Sequence, residues 1–128
     1  MNRLIFVFIV LLLVSCGKKE SETTESLSPT VTSTQGNLEL GKKIFEGKGQ
    51  CMTCHKVSQN VIGPSVKEIV LGYEQQGADM VEFLKGNLDP IIDPSQFQIM
   101  KINLEITKKM TDDELQALVD YMYYLSQK

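Results

Sequence analysis

Two cysteines and a histidine stand together in the run Cys51-Met52-Thr53-Cys54-His55. Two thiols at this spacing can reach the two vinyl groups of one porphyrin and form thioethers, and the histidine that follows is then placed to bind the iron. The run is therefore the signature of covalent haem attachment. We expect Cys51 and Cys54 to carry the haem and His55 to be its proximal iron ligand.

The sequence gives less support to other functions of these three residues. The whole chain contains three cysteines and one histidine. A structural zinc site needs four ligands, and Cys51, Cys54 and His55 supply only three. A thioredoxin-like redox pair would need a surrounding βαβ pattern, which the sequence lacks. A single histidine also excludes bis-histidine ligation and a second CxxCH site, so we predict one covalently attached haem c.

The N-terminal segment has the features of an export signal. Arg3 precedes an unbroken apolar run over residues 4–14. The run is shorter than the roughly 20 residues of a membrane span, but it suits a signal peptide. Leu13-Val14-Ser15-Cys16 resembles the lipobox of bacterial lipoproteins. We therefore expect residues 1–15 to be a lipoprotein signal peptide and Cys16 to be lipidated, which would anchor the protein in a membrane. A plain signal peptide or a weak membrane anchor is the alternative.

The composition divides the rest of the chain into a tether and a domain. Residues 16–37 are rich in Ser, Thr and Glu and hold few large apolar residues, which predicts a flexible tether. Residues 38–128 form one domain, near the size at which an apolar core alone gives marginal stability. The formal net charge of the chain is −3, and no feature indicates nucleic-acid binding.

Apolar residues at helical spacing predict several helices in this domain. One lies just before the haem motif and contains Gly41 and Phe45, and a second covers residues 66–73. Asp79 is a candidate N-cap for a third helix, which Gly86 would end.

The clearest helix is the last one. Thr111-Asp112-Asp113-Glu114 has the pattern of a capping box, with Thr111 as N-cap and Glu114 three positions later. An apolar stripe follows at helical spacing. Since no alternating run is long enough to predict a strand, we expect an all-α domain.

With these motifs in place, residues 38–128 resemble class I cytochromes c. The matching residues are Gly41 and Phe45, the Cys51–His55 motif, Ile62-Gly63-Pro64, and Leu118-Val119-Asp120-Tyr121. The resemblance implies the small class I fold, with helices wrapped around one covalently bound haem. It implies that the first and last helices cross closely, with Gly41 opposite an aromatic residue such as Tyr121. It also implies that the carbonyl of Pro64 accepts a hydrogen bond from His55, which orients the ligand.

The resemblance further implies a methionine as the sixth iron ligand, from a loop before the last helix. Met100 and Met110 both qualify by position. Met110 directly precedes the N-cap, where it can pack on Leu115 as a hydrophobic staple. This structural role is enough to explain a methionine at position 110. Met100 lies among prolines that disfavour regular structure, so we expect it in a loop and favour it as the ligand. Many relatives have a proline after this methionine, whereas here the next residue is Lys101. A lysine, water or an open position is the remaining alternative.

Taken together, these features predict a monohaem protein that carries single electrons between a redox protein donor and acceptor. It would not be an enzyme, would bind no small-molecule substrate, and would be lipid-anchored to a bacterial membrane with its domain in the periplasm or otherwise outside the cytoplasmic membrane. The alternative function is a haem-based sensor or small-ligand-binding domain with an open sixth position. A peroxidase-like enzyme is disfavoured because no distal histidine is available. Lys101, Lys108 and Lys109 could dock an acidic partner or form an ordinary solvated face.

Overall fold

A computed structural model describes the backbone of residues 29–128 and the side chains of residues 35–128. All regular elements in these residues are helices, and their only β-pairing is an isolated bridge between His55 and Asn60. The all-α prediction is therefore confirmed. The predicted signal peptide, the proposed lipidation site Cys16 and the first part of the tether lie outside the described residues.

The regular elements of the described residues are six α-helices and two further helical turns. The α-helices are α1 (Pro29–Lys43), α2 (Cys51–Cys54), α3 (Val66–Gln76), α4 (Met80–Lys85), α5 (Phe97–Thr107) and α6 (Asp112–Ser126). A π-helical turn, Ile44–Lys48, follows α1, and a 3-10 turn, Pro94–Gln96, precedes α5. Among the described residues, no helix combines the length and apolar character needed to cross a membrane.

Side-chain caps determine where α4 and α6 begin, as the sequence predicts. The Asp79 side chain accepts hydrogen bonds from the first backbone N–H groups of α4, and Gly86 ends that helix in the left-handed conformation, at φ 81°. At α6, Thr111 and Glu114 form the complete capping box. Both helices therefore start at the predicted residues.

The first helix begins earlier than expected. We predict a flexible tether up to residue 37, but α1 starts at Pro29. Proline is favoured at the first position of a helix, where its missing N–H group costs no hydrogen bond. The polar composition predicts only that these residues bury little surface, and residues 35–37 are indeed exposed. Low burial does not exclude helical backbone, which explains the difference.

The segment around Met100 is helical, so the prediction of an irregular loop there is wrong. The Asp93 side chain accepts a hydrogen bond from the Gln96 N–H at 3.3 Å, and Pro94 opens the 3-10 turn that leads into α5. Prolines disfavour a helix only at interior positions. Here Pro94 occupies a first position and therefore promotes the helix that carries Met100.

The first and last helices cross in close contact at Gly41. A Cβ atom built on Gly41 would lie 2.0 Å from the Ala117 carbonyl oxygen and 2.6 Å from Tyr121 Cβ. One turn further along, the Phe45 and Tyr121 rings meet edge to face, with centroids 5.8 Å apart. The predicted approach of Gly41 to Tyr121 is therefore confirmed, and it needs a residue without a side chain.

The buried core lies between α6 and the elements packed on it. Helices α1, α3 and α4 all contact α6, and α5 packs on α4. The largest fully buried apolar side chains are Val66 of α3, Leu115 and Leu118 of α6, and Ile44 of the π-helical turn that follows α1. One side of this core opens into a cavity bordered by the attachment motif.

Replacing Gly41 by alanine tests the helix crossing. Because the new methyl group would meet the backbone of Ala117, we expect Gly41→Ala to lower the free energy of unfolding by about 2–3 kcal/mol in chemical denaturation. Gly36→Ala is the matched control in the same helix, since no atom lies within 4 Å of its added Cβ. Helix propensity should make Gly36→Ala more stable by about 0.5–1 kcal/mol. Equal effects of the two substitutions would contradict the close crossing.

Candidate functional site

The two motif cysteines lie on a single helical turn. Helix α2 spans only Cys51–Cys54, and the His55 N–H closes it by donating to the Cys51 carbonyl at 2.9 Å. Residues three apart on a helix share a face, so both thiols border the same cavity. Gln50 precedes the turn in the left-handed conformation, at φ 53°, and His55 leaves it in an extended conformation.

The surroundings of the two thiols differ. Cys51 is buried, and burial raises the pKa of its thiol to about 11. Cys54 is only partly buried. The Cys51 sulfur lies 3.5 Å from the Gly49 carbonyl oxygen, and a Cβ on Gly49 would approach that sulfur to 3.1 Å. Glycine at position 49 therefore leaves room for the first cysteine on the cavity wall.

The His55 ring is held from two sides. Its Nδ1–H donates to the Pro64 carbonyl oxygen at 2.7 Å, which is the contact that the resemblance implied. Because a carbonyl can only accept, this bond assigns the proton to Nδ1 and leaves the Nε2 lone pair available for a metal. The ring also lies on Gly63, where an added Cβ would be 2.8 Å from His55 Cε1. The Ile62-Gly63-Pro64 segment thus fixes both the tautomer and the plane of the imidazole.

Part of the cavity wall comes from the segment before α5 and from α5 itself. Pro90, Ile91, Ile92 and Phe97 contribute apolar surface, and Met100 lines the same cavity as His55. Both methionines pack against the buried core cluster, but Met110 is not among the residues that line the cavity. Of the two candidate sixth ligands, the structure brings only Met100 to the cavity that contains the histidine.

Two hydrogen bonds that the sequence analysis missed hold α5 in place. The Asn103 side-chain amide donates to the Gly49 carbonyl at 2.9 Å, which joins the Met100 helix to a residue two positions before the motif. The buried Thr107 hydroxyl donates to the Leu84 carbonyl at 2.7 Å, near the end of α4. Both bonds link residues far apart in sequence, so no local pattern could have indicated them.

The residues around the cavity fit a haem. The lining is largely apolar, as a porphyrin plate requires, and includes Leu118 and Met122 from α6 and Tyr73 from α3. Two thiols and one oriented imidazole stand on one wall, which is the donor set for two thioethers and one iron bond. Glycine at position 63 gives the imidazole space that any side chain would fill.

Comparison with protein families agrees with this geometry. The family model described as Cytochrome c matches residues 38–126. The chain belongs to the cytochrome c family. A search of curated proteins finds no matching relative. Members of the family bind haem c covalently, and Cys51, Cys54 and His55 of this cytochrome fit that attachment.

Haem attachment can be checked directly on the purified cytochrome. Because thioether bonds survive unfolding, haem should stay with the polypeptide after treatment with acid and organic solvent. Intact mass should exceed that of the apo-chain by one haem. Cys51→Ala/Cys54→Ala is the control, and its haem should be extracted. Extraction of free haem from the wild-type protein would contradict covalent attachment.

Proposed function

We propose that this cytochrome is a membrane-tethered, one-electron carrier that works between redox proteins outside the cytoplasm. Members of its family are haem electron-transfer proteins. The observation that carries the finer proposal is that His55 and Met100 line one apolar cavity, so that both could bind the iron of a single haem. When bound, the haem supplies the iron whose charge changes by one electron.

The protein residues control the conditions of that electron exchange. The apolar cavity lining excludes water and lowers the local dielectric, which disfavours the more highly charged oxidation state. A methionine thioether as sixth ligand would likewise favour ferrous over ferric iron and raise the reduction potential. The Pro64 carbonyl acts in the opposite direction, because its hydrogen bond makes the His55 imidazole a stronger donor.

The rim of the cavity is the surface on which we expect redox partners to dock. Ile62, Ile99 and Ile102 line the cavity and are also exposed, Ile102 to 76%. Exposed apolar residues around a redox centre allow a partner to approach closely. Lys101 is exposed on α5, beside Ile102, whereas the Lys108 ammonium group pairs with the Glu105 carboxylate at 3.4 Å. Lys101 is therefore more available than Lys108 to attract an acidic partner.

Attachment to a membrane is the second part of the proposal. It rests on the sequence of residues 1–16, in which an apolar run ends at Cys16. Lipidation of Cys16 would provide more than one acyl chain, which is the requirement for stable anchoring. The haem domain would then face the periplasm or the outside of the cytoplasmic membrane, at the end of the segment that leads to α1.

Methionine substitutions test the electron-carrier proposal against the sensor alternative. Met100→Ala should open the sixth position, lower the reduction potential and allow rapid binding of carbon monoxide to the ferrous protein. Haem should remain attached through Cys51 and Cys54. Met110→Ala, the matched control, should leave the visible spectrum unchanged and cost about 1–2 kcal/mol of stability through lost apolar burial.

The outcomes of this comparison are distinct. Exchange of the two phenotypes would make Met110 the ligand. If neither substitution changes the spectrum and the wild-type protein binds carbon monoxide readily, the protein has an open sixth position and the sensor function replaces the electron carrier.

A separate substitution tests the anchor. Cys16→Ser should move the protein from the membrane fraction to the soluble fraction, with haem still attached in the exported protein. Fractionation followed by haem staining measures both properties. Continued tight membrane association of this variant would mean that the apolar run itself is the anchor.

A further inference from the structure

A single peptide group connects the proximal histidine to the capping box of α3. The carbonyl oxygen of the Pro64–Ser65 peptide accepts the bond from His55 Nδ1 at 2.7 Å. The N–H group of the same peptide donates to Asn60 Oδ1 at 2.8 Å and to Glu68 Oε2 at 3.0 Å. Ser65 is only 3% exposed, so this peptide group is shielded from water. The Glu68 carboxylate and the His55 imidazole are therefore bonded to opposite ends of one amide.

The Glu68 carboxylate is held in this position by two further donors. The Ser65 hydroxyl donates to Oε2 at 2.9 Å, and the Asn60 side-chain amide donates to Oε1 at 3.0 Å. The bond from Asn60 and those from Ser65 keep the pKa of Glu68 below its usual value. The group is therefore a carboxylate at neutral pH, and its negative charge lies on the N–H side of the peptide.

The peptide group can transmit the effect of that charge. Amide resonance couples the N–H group to the carbonyl oxygen, and successive hydrogen bonds polarise one another. A negative acceptor at the N–H therefore makes the Pro64 oxygen a stronger acceptor for the Nδ1–H of His55. A more strongly hydrogen-bonded imidazole is a more basic iron ligand, which favours ferric iron.

We propose that Glu68, supported by Asn60, tunes the proximal histidine through the Pro64–Ser65 peptide group and so lowers the reduction potential of the bound haem. Glu68 is a positioning residue, since it does not touch the histidine or the cofactor cavity. The proposal rests on the proposed function only in taking His55 as the haem ligand.

The chain contains a matched control for this arrangement. Helix α6 begins with a capping box of the same geometry, in which the Thr111 N–H donates to Glu114 Oε2 at 3.0 Å. Glu114 also pairs with Lys48. The histidine is bonded to Pro64 and has no such link to the Thr111 peptide. Neutralising Glu114 therefore removes a carboxylate from an equivalent cap without acting on His55.

The experiment compares Glu68→Gln and Glu114→Gln in the holoprotein. Glutamine is also a capping-box residue, so both variants should retain their helix caps. In Glu68→Gln, the proton resonance of His55 Nδ1–H in the ferrous protein should move upfield. Its exchange with solvent should become roughly fivefold faster, because a charge-assisted bond is replaced by a neutral one. The reduction potential should rise. All three quantities should be unchanged in Glu114→Gln.

The Nδ1–H resonance distinguishes an effect transmitted through the Pro64–Ser65 peptide group from a through-space effect of the Glu68 charge. A higher potential in Glu68→Gln with an unmoved resonance would mean that the carboxylate acts only through space, which overturns the proposal. Equal changes in both variants, or none in either, would also overturn it.

Asn60→Ala removes the neutral acceptor from the same N–H and should move the resonance in the same direction by a smaller amount, which provides a second test if Glu68→Gln does not fold. The resonance reports on His55 whether or not the protein exchanges electrons with a partner, so failure of the proposed function would be seen separately.

Discussion

The backbone of α1 lies directly against the backbone of α6 at Gly41, and the position of the site depends on this contact. Helix α1 continues through the π-helical turn into Cys51, so the crossing fixes where the attachment motif begins. Helix α6 places Leu118 and Met122 on the wall of the cavity. A larger residue at position 41 would separate the two helices and move the cysteines away from the apolar surface that they face.

The two candidate iron ligands, His55 and Met100, come from segments that are each fixed by hydrogen bonds to other parts of the chain. On the proximal side, the Gly63 N–H donates to the Cys54 carbonyl at 3.1 Å and the Val66 N–H donates to the Lys56 carbonyl at 2.9 Å. These bonds close the loop that presents Pro64 to His55. On the other side, Asn103 joins α5 to Gly49. A site whose ligands barely move on a change of charge suits rapid electron exchange, since little reorganisation is needed.

The parts of the fold that the sequence predicts are those with local causes. The caps of α4 and α6 depend on residues two or three positions apart, and the sequence indicates both, through Asp79 and through the Thr111–Glu114 pair. The capping box at Ser65–Glu68 has the same local pattern, Ser-x-x-Glu before an apolar run, so the sequence indicates this helix start as well. The prolines near Met100 predict a loop, and the prediction fails because sequence alone does not show whether a proline is at the first position of a helix or inside it.

The attachment residues are similarly visible in sequence, because CxxCH is a contiguous motif with one chemical purpose. The choice between Met100 and Met110 as sixth ligand, by contrast, cannot be made from a contiguous motif. It depends on which methionine faces the cavity, and that follows from the packing of α5 on α4 and from the long-range bond of Asn103. Glu68 likewise has no functional signature in sequence, since its relation to His55 exists only through the fold.

A spectroelectrochemical titration of the purified full-length protein tests most directly whether one haem, held by Cys51, Cys54 and His55, carries single electrons. The account predicts one reversible transition with the Nernst slope of a one-electron couple, and low-spin spectra in both oxidation states because His55 and the proposed ligand Met100 would both bind the iron. A high-spin ferrous spectrum that changes at once on addition of carbon monoxide, or the absence of a reversible one-electron transition, would contradict it.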